Sequence, residues 1–198
     1  VRICVSNFIV SIIDVFYVTY IVSFNLHLPL SVLVLTLVTH LLARLSFSNS
    51  EIGLITSIKH LDMSSCPMMT GSIPSEIGKL TNLNYLNLGG CRFNGTIPDE
   101  LFRLSSMEKL HLSMNLFSGT ISSSINVMTN LKELMLSRTY VTGTIPEHIG
   151  ELASLENLEM YGNQLSGKIP NSLGGCTNLK RIGKSRGVKM QRDTTSIF

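Results

Sequence analysis

Residues 83–104, LNYLNLGGCRFNGTIPDELFRL, form one copy of a pattern that repeats along most of the chain. Within it, Leu86 and Leu88 alternate with polar residues, and a Gly-Thr-Ile-Pro segment follows at 95–98. The pattern restarts at a constant interval, at Met107, Leu131, Leu155 and, as a partial copy, Leu179. A fixed period of this length predicts a solenoid, in which each unit is a coil that stacks on the next. Such a protein offers mainly surface, so its default role is binding rather than catalysis.

An earlier copy precedes this one. It is longer than the others by a single residue, inserted before Gly71, and its repeat positions are Ile58, Leu61, Met63, Cys66 and Met68. Residues 50–58 also match residues 75–83, which predicts that the repeats begin with a half-unit near Phe47. We therefore expect five full units, a half-unit before them and a partial unit after them.

Backbone geometry explains the order of residue types within a unit. Side chains two apart in a strand point to the same face, so Leu86 and Leu88 can be buried together while their neighbours face outward. At the ninth position, where the chain turns, the units carry small residues able to form hydrogen bonds: Cys66, Cys91, Asn115, Thr139 and Asn163. They can satisfy backbone groups that would otherwise be buried without a partner. Apolar residues three apart near the end of a unit, such as Leu101 and Leu104, favour a short 3₁₀ turn.

The two halves of the unit together resemble the plant-type leucine-rich repeat of receptor-like kinases, receptor-like proteins and polygalacturonase inhibitors. The first half follows L-x-x-L-x-L-x-x-N-x-L, and the second half carries L-x-G-x-I-P or a close variant. The second-half segments begin at Gly71, Gly95, Gly119, Gly143 and Gly167. The resemblance covers residues 46–182. It implies an α/β solenoid with a short-stranded parallel sheet on the concave face and 3₁₀ or short helical turns on the convex side.

The outward-facing strand positions are the candidate ligand surface, because they line up as columns across the units. From these columns we select as ligand-binding candidates Tyr85, His111, Glu133, Glu159 and Tyr161. The tyrosines combine apolar area with a polar tip, and the ionisable groups can set specificity. The alternative interpretation is an ordinary solvated surface.

The resemblance implies a non-catalytic recognition module that binds a protein, a peptide or a glycan. An alternative is an ectodomain fragment of a receptor-like kinase whose catalytic domain lies outside this sequence, and a third is a purely structural scaffold. Phosphate-loop, kinase, zinc-protease and serine-hydrolase motifs are absent from the sequence. We therefore predict no enzymatic activity, no cofactor and no metal site, and the four cysteines form no C-x-x-C pair.

Residues 1–45 form an apolar segment. Within it, residues 15–43 contain no Asp, Glu, Lys or Arg, and this stretch exceeds the roughly 20 residues needed to span a bilayer. Three interpretations stay open: a membrane anchor or uncleaved signal sequence, a degenerate upstream repeat that supplies buried strands, or a fragment or gene-model artefact. The first predicts a membrane-associated or extracellular protein, in which the single N-x-S/T sequon, at Asn94, becomes a glycosylation site.

The distribution of charge argues against nucleic acid as a partner. The net charge is +3, but six basic residues and one acid after Leu179 supply +5, which leaves −2 for the rest of the chain. A basic stripe across the repeats is therefore not expected. Residues 183–198 are predicted to form a basic polar tail, either solvated or in contact with a membrane surface or an anionic partner.

Overall fold

The computed structural model describes residues 52–53, 56–67 and 69–183, and over this range the chain forms a solenoid of stacked coils. Each coil contributes one short strand to a parallel sheet. The strands are β1 (His60–Asp62), β3 (Tyr85–Asn87), β5 (Lys109–His111), β6 (Glu133–Met135), β8 (Asn157–Glu159) and β10 (Arg181–Ile182). Their order in this six-stranded sheet follows the chain. The predicted fold class, a leucine-rich-repeat solenoid, is confirmed.

A second layer forms where each coil turns away from the sheet. Its parallel pairs are β2 (Thr70–Gly71) with β4 (Arg92–Phe93), and β7 (Thr142–Gly143) with β9 (Gln164–Leu165). A single bridge between Thr96 and Ser118 connects the coils between these pairs. Short 3₁₀ helices complete the coils, at Ser75–Lys79, Leu101–Arg103, Ser123–Val127, Glu147–Glu151 and Asn171–Gly175.

The register of the main sheet follows the repeat of the sequence. Leu86 lies opposite Leu110, and Leu110 lies opposite Leu134, so the step between coils equals the interval of the sequence repeat. Between β1 and β3 the step is longer by a single residue, yet Leu61 still lies opposite Leu86. Equivalent side chains therefore stack in columns along the whole sheet.

The strand leucines form the centre of the core. Leu86, Leu110 and Leu134 are fully buried. Burying one such side chain completely is worth about 1.5–3 kcal/mol. Phe93 and Phe117 stack within the same core, with ring centroids 6.2 Å apart and planes 4° from parallel. Alternation along these short strands therefore accounts for which side chains enter the core.

At the ninth position of the repeat, Asn115 connects adjacent coils. Its amide nitrogen donates to the carbonyls of Leu88 and Leu112 at 2.8 and 3.0 Å. Its amide oxygen accepts the Phe93 N–H at 3.0 Å. Asn163 forms an equivalent set of bonds two coils further along. These side chains satisfy backbone groups that the turn would otherwise bury unpaired, as the sequence predicted.

A thiol replaces the amide in the second full coil. The Cys91 thiol donates to the Met63 carbonyl at 3.2 Å, and its sulfur accepts the Cys66 N–H at 3.4 Å. A sulfur atom therefore links the first two full coils in the way that an amide links coils further along the chain.

Proline or serine starts most of the 3₁₀ helices. Pro146 is extended (φ −67°, ψ 141°) immediately before the helix Glu147–Glu151. Ser122 occupies the equivalent position of another coil with nearly the same backbone angles (φ −66°, ψ 144°). Because serine lacks the proline ring, its hydroxyl caps the helix instead and accepts the Ser124 N–H at 3.1 Å.

The first full coil corrects one assignment made from the sequence. The repeat pattern placed Met68 at the position equivalent to Phe93, but Met69 lies there, buried, with its carbonyl accepting the Arg92 N–H at 3.0 Å. The reason is the extra residue of this coil, which the chain accommodates after Cys66; the Met69 N–H bonds to the Cys66 carbonyl at 2.9 Å. Met68 itself lies outside the described residues.

The two predicted terminal segments lie largely outside the described range, which includes none of residues 1–45 and only Gly183 of 183–198. The helices of the described residues are all too short to cross a bilayer.

Candidate functional site

The outward-facing side chains at and just after the strands form three columns, which we call the concave face. The first column contains His60, Tyr85, Lys109, Glu133 and Asn157. The second contains Asp62, Asn87, His111, Met135 and Glu159. The third follows the strands and contains Ser64, Gly89, Ser113, Ser137 and Tyr161. Neighbours within a column are about 4.8 Å apart along the sheet, so side chains of adjacent coils can contact each other.

Four side chains at the upstream end of this face form a packed cluster. The His60 ring stacks on the Tyr85 ring, with centroids 4.0 Å apart and planes 4° from parallel. The Tyr85 hydroxyl donates to the Asp62 carboxylate at 3.4 Å. The Asn87 amide donates to the same carboxylate at 3.3 Å. These contacts fix the four side chains relative to one another without a ligand.

The centre of the face continues from this cluster through His111. The edge of its ring approaches Tyr85, with centroids 5.7 Å apart and planes at 66°. On its other side, His111 Nε2 lies 2.9 Å from one Glu133 oxygen, and Lys109 Nζ lies 2.9 Å from the other. Both oxygens of Glu133 are therefore engaged by groups that can carry positive charge.

Hydrogen bonding keeps two carboxylates of the face ionised. Burial raises the pKa of the Glu133 carboxyl, but hydrogen bonds and positive charge from Lys109 and His111 outweigh it and hold the pKa below its ordinary value. Burial likewise opposes ionisation of Asp62, yet hydrogen bonds from Ser64 and from the upstream cluster lower the pKa of that carboxyl. The hydrogen bond to Glu133 in turn raises the pKa of Lys109.

The downstream end of the face is less internally paired. The Arg138 guanidinium carbon lies 5.9 Å from the centroid of the Tyr161 ring, within cation–π range. Glu159 is half-buried and forms no ion pair with any residue of the described range. The Ser137 hydroxyl is buried without a hydrogen-bond partner among those residues. At this end, Glu159 is therefore left without an ion-pair partner among the described residues, whereas the Ser137 hydroxyl is enclosed and not exposed at the surface.

The structure brings three of the five selected residues together. Tyr85, His111 and Glu133 form one chain of contacts across β3, β5 and β6. Glu159 and Tyr161 lie at the downstream end, separate from this chain. No observation tests whether any of the five binds a ligand, so their role stays a prediction.

Three further residues of the site were not selected from the sequence. His60 and Lys109 lie in the same column as Tyr85. The signal that could have identified them was a matching side chain on the next coil: a second ring for His60 and a carboxylate for Lys109. Arg138 lies at the eighth position of the repeat, where two other coils have Gly90 and Gly162. Nothing in a pattern of leucines marks that position as functional.

Asn94 lies away from the concave face. It follows β4 in the second layer, and its side chain is exposed. The position is sterically open to a glycan, and glycosylation remains a prediction.

Stacked coils, a parallel sheet and an ordered face of aromatic and charged side chains define a solenoid recognition fold. A sequence profile described as leucine-rich repeat region matches residues 26–196. The chain therefore belongs to the leucine-rich repeat family, and its structural neighbours place it in the plant type. A comparison with curated protein sequences gives no significant match.

Three solved structures illustrate the similarity. The ectodomain of the membrane receptor kinase GASSHO1/SCHENGEN3 from Arabidopsis thaliana, in complex with CASPARIAN STRIP INTEGRITY FACTOR 2, is 32% identical with a TM-score of 0.67, over 71% of this chain and 17% of that one. The plant peptide hormone receptor RGFR1 in complex with RGF2 is 38% identical with a TM-score of 0.66, over 68% and 22%. A plant ice-binding protein is 27% identical with a TM-score of 0.64, over 72% and 45%. The matched region thus spans about a fifth of each receptor ectodomain.

Proposed function

We propose that this protein is a non-catalytic recognition module that binds an extended peptide, or an exposed segment of a protein, across its concave face. The observation that carries the proposal is the unbroken chain of contacts from His60 through Tyr85 and His111 to Glu133, spanning four adjacent strands. An ordered surface of this kind loses little conformational entropy on binding.

The chemistry of the face suits a peptide better than a glycan. A peptide offers both apolar side chains and charges, and the face offers aromatic area upstream and an acid, Glu159, downstream. The similar structures include a plant peptide hormone receptor and a receptor kinase in complex with a peptide hormone, which supports the same partner class. A glycan remains the alternative ligand, and the test below can detect it.

The protein is proposed to act outside the cytosol, as part of a receptor-like protein or receptor-like kinase. Several of the similar proteins are ectodomains of receptor kinases, one of them described as a membrane receptor kinase. In this proposal residues 1–45 provide a signal or anchor, and Asn94 carries a glycan. Fractionation of cells expressing the tagged chain, with and without glycosidase, tests it. Recovery in the soluble cytosolic fraction with no mobility change on glycosidase treatment contradicts this location.

The binding test uses peptides selected from a displayed random library on the full chain, together with a glycan array. The concave variant combines substitutions to Ala or, for the acids, to Gln at Tyr85, His111, Glu133, Glu159 and Tyr161. Its matched control changes exposed turn residues of the convex side to Ala, namely Thr81, Thr129 and Thr177.

The concave variant should lose more than about 100-fold in affinity, because several anchors are removed at once. The convex control should bind like the parent, and both should retain the parent circular dichroism spectrum. Equal binding by the two variants contradicts the proposed face, and failure of the parent chain to bind any peptide or glycan favours a structural scaffold. Binding to the glycan array alone replaces peptide by glycan as ligand.

A second candidate function, binding to ice, is supported by the second layer of the coils. Two columns flank its glycines. The column before the glycines contains Thr70, Asn94, Ser118, Thr142 and Ser166. The column after them contains Ser72, Thr96, Thr120, Thr144 and Lys168, all exposed. Most of these residues carry hydroxyls at the regular spacing of a parallel sheet, about 4.8 Å.

Both columns are held rigidly by the adjacent coils. The hydroxyl of Thr142 donates to the Gly119 carbonyl at 3.0 Å, and the Thr142 N–H donates to the same carbonyl at 2.7 Å. In the other column, the Thr120 methyl covers Gly143 so closely that a Cβ there would lie 2.8 Å from it. A rigid, regular array of hydroxyls and methyls can match an ordered water lattice, and a similar plant protein binds ice.

Inhibition of ice recrystallisation by the purified chain tests this second candidate. Thr120→Lys should abolish the inhibition, and it should fold because Lys168 occupies the same position two coils later. Thr129→Lys, at an exposed convex turn, is the control and should leave inhibition intact. A glycan on Asn94 would cover this array, so inhibition that appears only after deglycosylation is also consistent with it. A parent chain without activity in either form rejects this candidate and leaves the concave proposal untouched.

A further inference from the structure

The eighth position of each unit has a left-handed backbone conformation that most side chains avoid. The φ angles are 56° at Ser65, 71° at Gly90, 57° at Met114, 55° at Arg138 and 72° at Gly162. Glycine adopts this conformation freely, whereas other L-residues meet a clash between Cβ and the following carbonyl. Two coils use glycine here. Met114 and Arg138 are large side chains kept at a position where the fold alone favours glycine.

These two residues border an unusual apolar surface. Met114 is 54% exposed, Leu116 is 45% exposed and Tyr140 is 51% exposed. They line an open cavity of about 310 Å³ together with Arg138 and Gly162. We call this cavity the edge pocket. It lies where the strands of the middle coils end, so it opens at the margin of the concave face.

Arg138 connects the edge pocket to the concave face. Its guanidinium lies over Tyr161, the last residue of the third column. Arg138 forms no ion pair with an acid anywhere in the described part of the chain. The pocket therefore combines an apolar wall with one cation that has no carboxylate partner within that part, and its chemistry is complementary to an apolar residue next to an acid.

We propose that the edge pocket is a specificity subsite, in which Met114, Leu116 and Tyr140 receive an apolar side chain of a peptide while Arg138 binds a carboxylate beside it. The inference rests on the proposed peptide binding by the concave face, of which the subsite is the margin. The peptide leaves the concave columns past Tyr161 and places its acidic segment over this edge. Retention of Met114 and Arg138 at left-handed positions then reflects ligand binding rather than folding.

This assignment predicts that stability and binding change in opposite directions. Met114→Gly and Arg138→Gly should raise the melting temperature, because glycine relieves the left-handed clash. Both should weaken binding of the best library peptide by about tenfold or more, since the pocket loses its wall or its cation. Ser65→Gly is the matched control: it relieves the same conformation at φ 56° but lies outside the pocket. It should raise the melting temperature and leave the affinity unchanged.

Arg138→Gln tests the contact with the peptide carboxylate separately from the backbone effect, because it removes the charge of the side chain without introducing glycine. The selected peptide and its analogue with each acid replaced by the amide should bind this variant equally, while the parent should prefer the acid about tenfold. Loss of that preference in Arg138→Gln, and its persistence in a concave variant that keeps Tyr161, assigns the charge contact to the edge pocket.

The outcomes separate this inference from the proposal on which it rests. Peptides that lose affinity in the concave variant but bind Met114→Gly and Arg138→Gln like the parent overturn the subsite and leave the concave face in place. Peptides that depend on the pocket but not on the concave columns support the subsite as an independent site. Failure to select any peptide overturns both, and a concentration-dependent dimer abolished by Met114→Gly makes a second copy of this chain the occupant instead.

Discussion

The same turn position is built in two different ways along this solenoid. Downstream, Asn115 bridges two coils with an amide that donates to carbonyls and accepts the Phe93 N–H. Upstream, Cys91 fills the position with a thiol that donates to the Met63 carbonyl. We call the downstream coils, with Asn115, Thr139 and Asn163, the amide coils after their two asparagines, although Thr139 supplies a hydroxyl; the upstream coils, with Cys66 and Cys91, are the thiol coils.

The length of the preceding coil accounts for the difference between Asn115 and Cys91. Asn115 is needed because the Phe93 N–H of the preceding coil has to find an acceptor. The equivalent upstream group is the Met69 N–H, and the extra residue of that coil directs it to the Cys66 carbonyl instead. Cys91 therefore does not have to accept that N–H, and a small thiol is sufficient. At these two positions, the residue that is needed therefore depends on the loop of the preceding coil as well as on its own coil.

The largest expected effect should be the same in both regions. Leu86→Ala in the thiol coils and Leu134→Ala in the amide coils each remove a fully buried side chain. Each should lower the free energy of unfolding by about 2–5 kcal/mol, measured by urea denaturation followed by circular dichroism. A loss below about 0.5 kcal/mol at Leu134 means that the register described above is wrong.

The next substitution separates the two regions. Asn115→Ala leaves the Phe93 N–H and two carbonyls buried without their partner, and it should cost about 3 kcal/mol. Cys91→Ala removes only weak hydrogen bonds of sulfur and a small apolar volume, and it should cost about 1 kcal/mol. Urea denaturation of both variants gives the comparison. If the two losses are equal, coil length does not determine the demand on the ninth position.

Replacing a second-layer glycine by alanine should also destabilise the two regions to different extents, with a smaller difference between them than the pair of substitutions above. Gly143 has φ +77°, and a Cβ there would lie 2.8 Å from the Thr120 methyl; Gly71 has φ +95° and nothing within 4 Å. Gly143→Ala should therefore cost about 2 kcal/mol and Gly71→Ala about 1 kcal/mol, the backbone contribution alone. Thermal or urea unfolding measures both. The difference should vanish when Gly143→Ala is combined with Thr120→Ser, which removes the methyl.

The smallest effect should be the change of folding stability with pH that one carboxylate in each region causes, Asp62 upstream and Glu133 downstream. The folded-state pKa values of Asp62 and Glu133 are lowered, so each stabilises the fold above its unfolded pKa and loses that contribution as pH falls through its folded pKa. Stability should therefore decline below about pH 4. Asp62→Asn and Glu133→Gln should each flatten that decline and cost less than about 1 kcal/mol at neutral pH. A steeper decline in either variant contradicts the direction of the shift.

The repeated part of this fold is predictable because the same constraint recurs in every coil. The spacing of Leu86 and Leu88 specifies a strand, and its recurrence specifies a parallel sheet in register. Met68 was assigned wrongly because the pattern counts residues, whereas the backbone decides where an extra one is accommodated. Met69 satisfies the same apolar position one residue later.

The candidate site is predictable only as a surface. Columns follow from strand alternation, so Tyr85, His111 and Glu133 could be selected before their contacts were known. The stack of His60 on Tyr85 depends on rotamers, which no repeat position determines. Arg138 was missed because the leucine pattern does not include the eighth position, and only the glycines at 90 and 162 indicate a left-handed backbone there.

The longer step between β1 and β3 has a consequence for how such a chain can change. The extra residue is accommodated between Cys66 and Met69, while Leu61 still lies opposite Leu86. An extra residue on this side of a coil therefore does not change the register of the strands on the concave face. In the first coil, which lies outside the edge pocket, such a chain can gain or lose a residue in this segment without shifting the columns of the concave face. For the protein engineer, the same segment is a site where an epitope or a fluorophore-binding loop can be inserted while the columns stay in register.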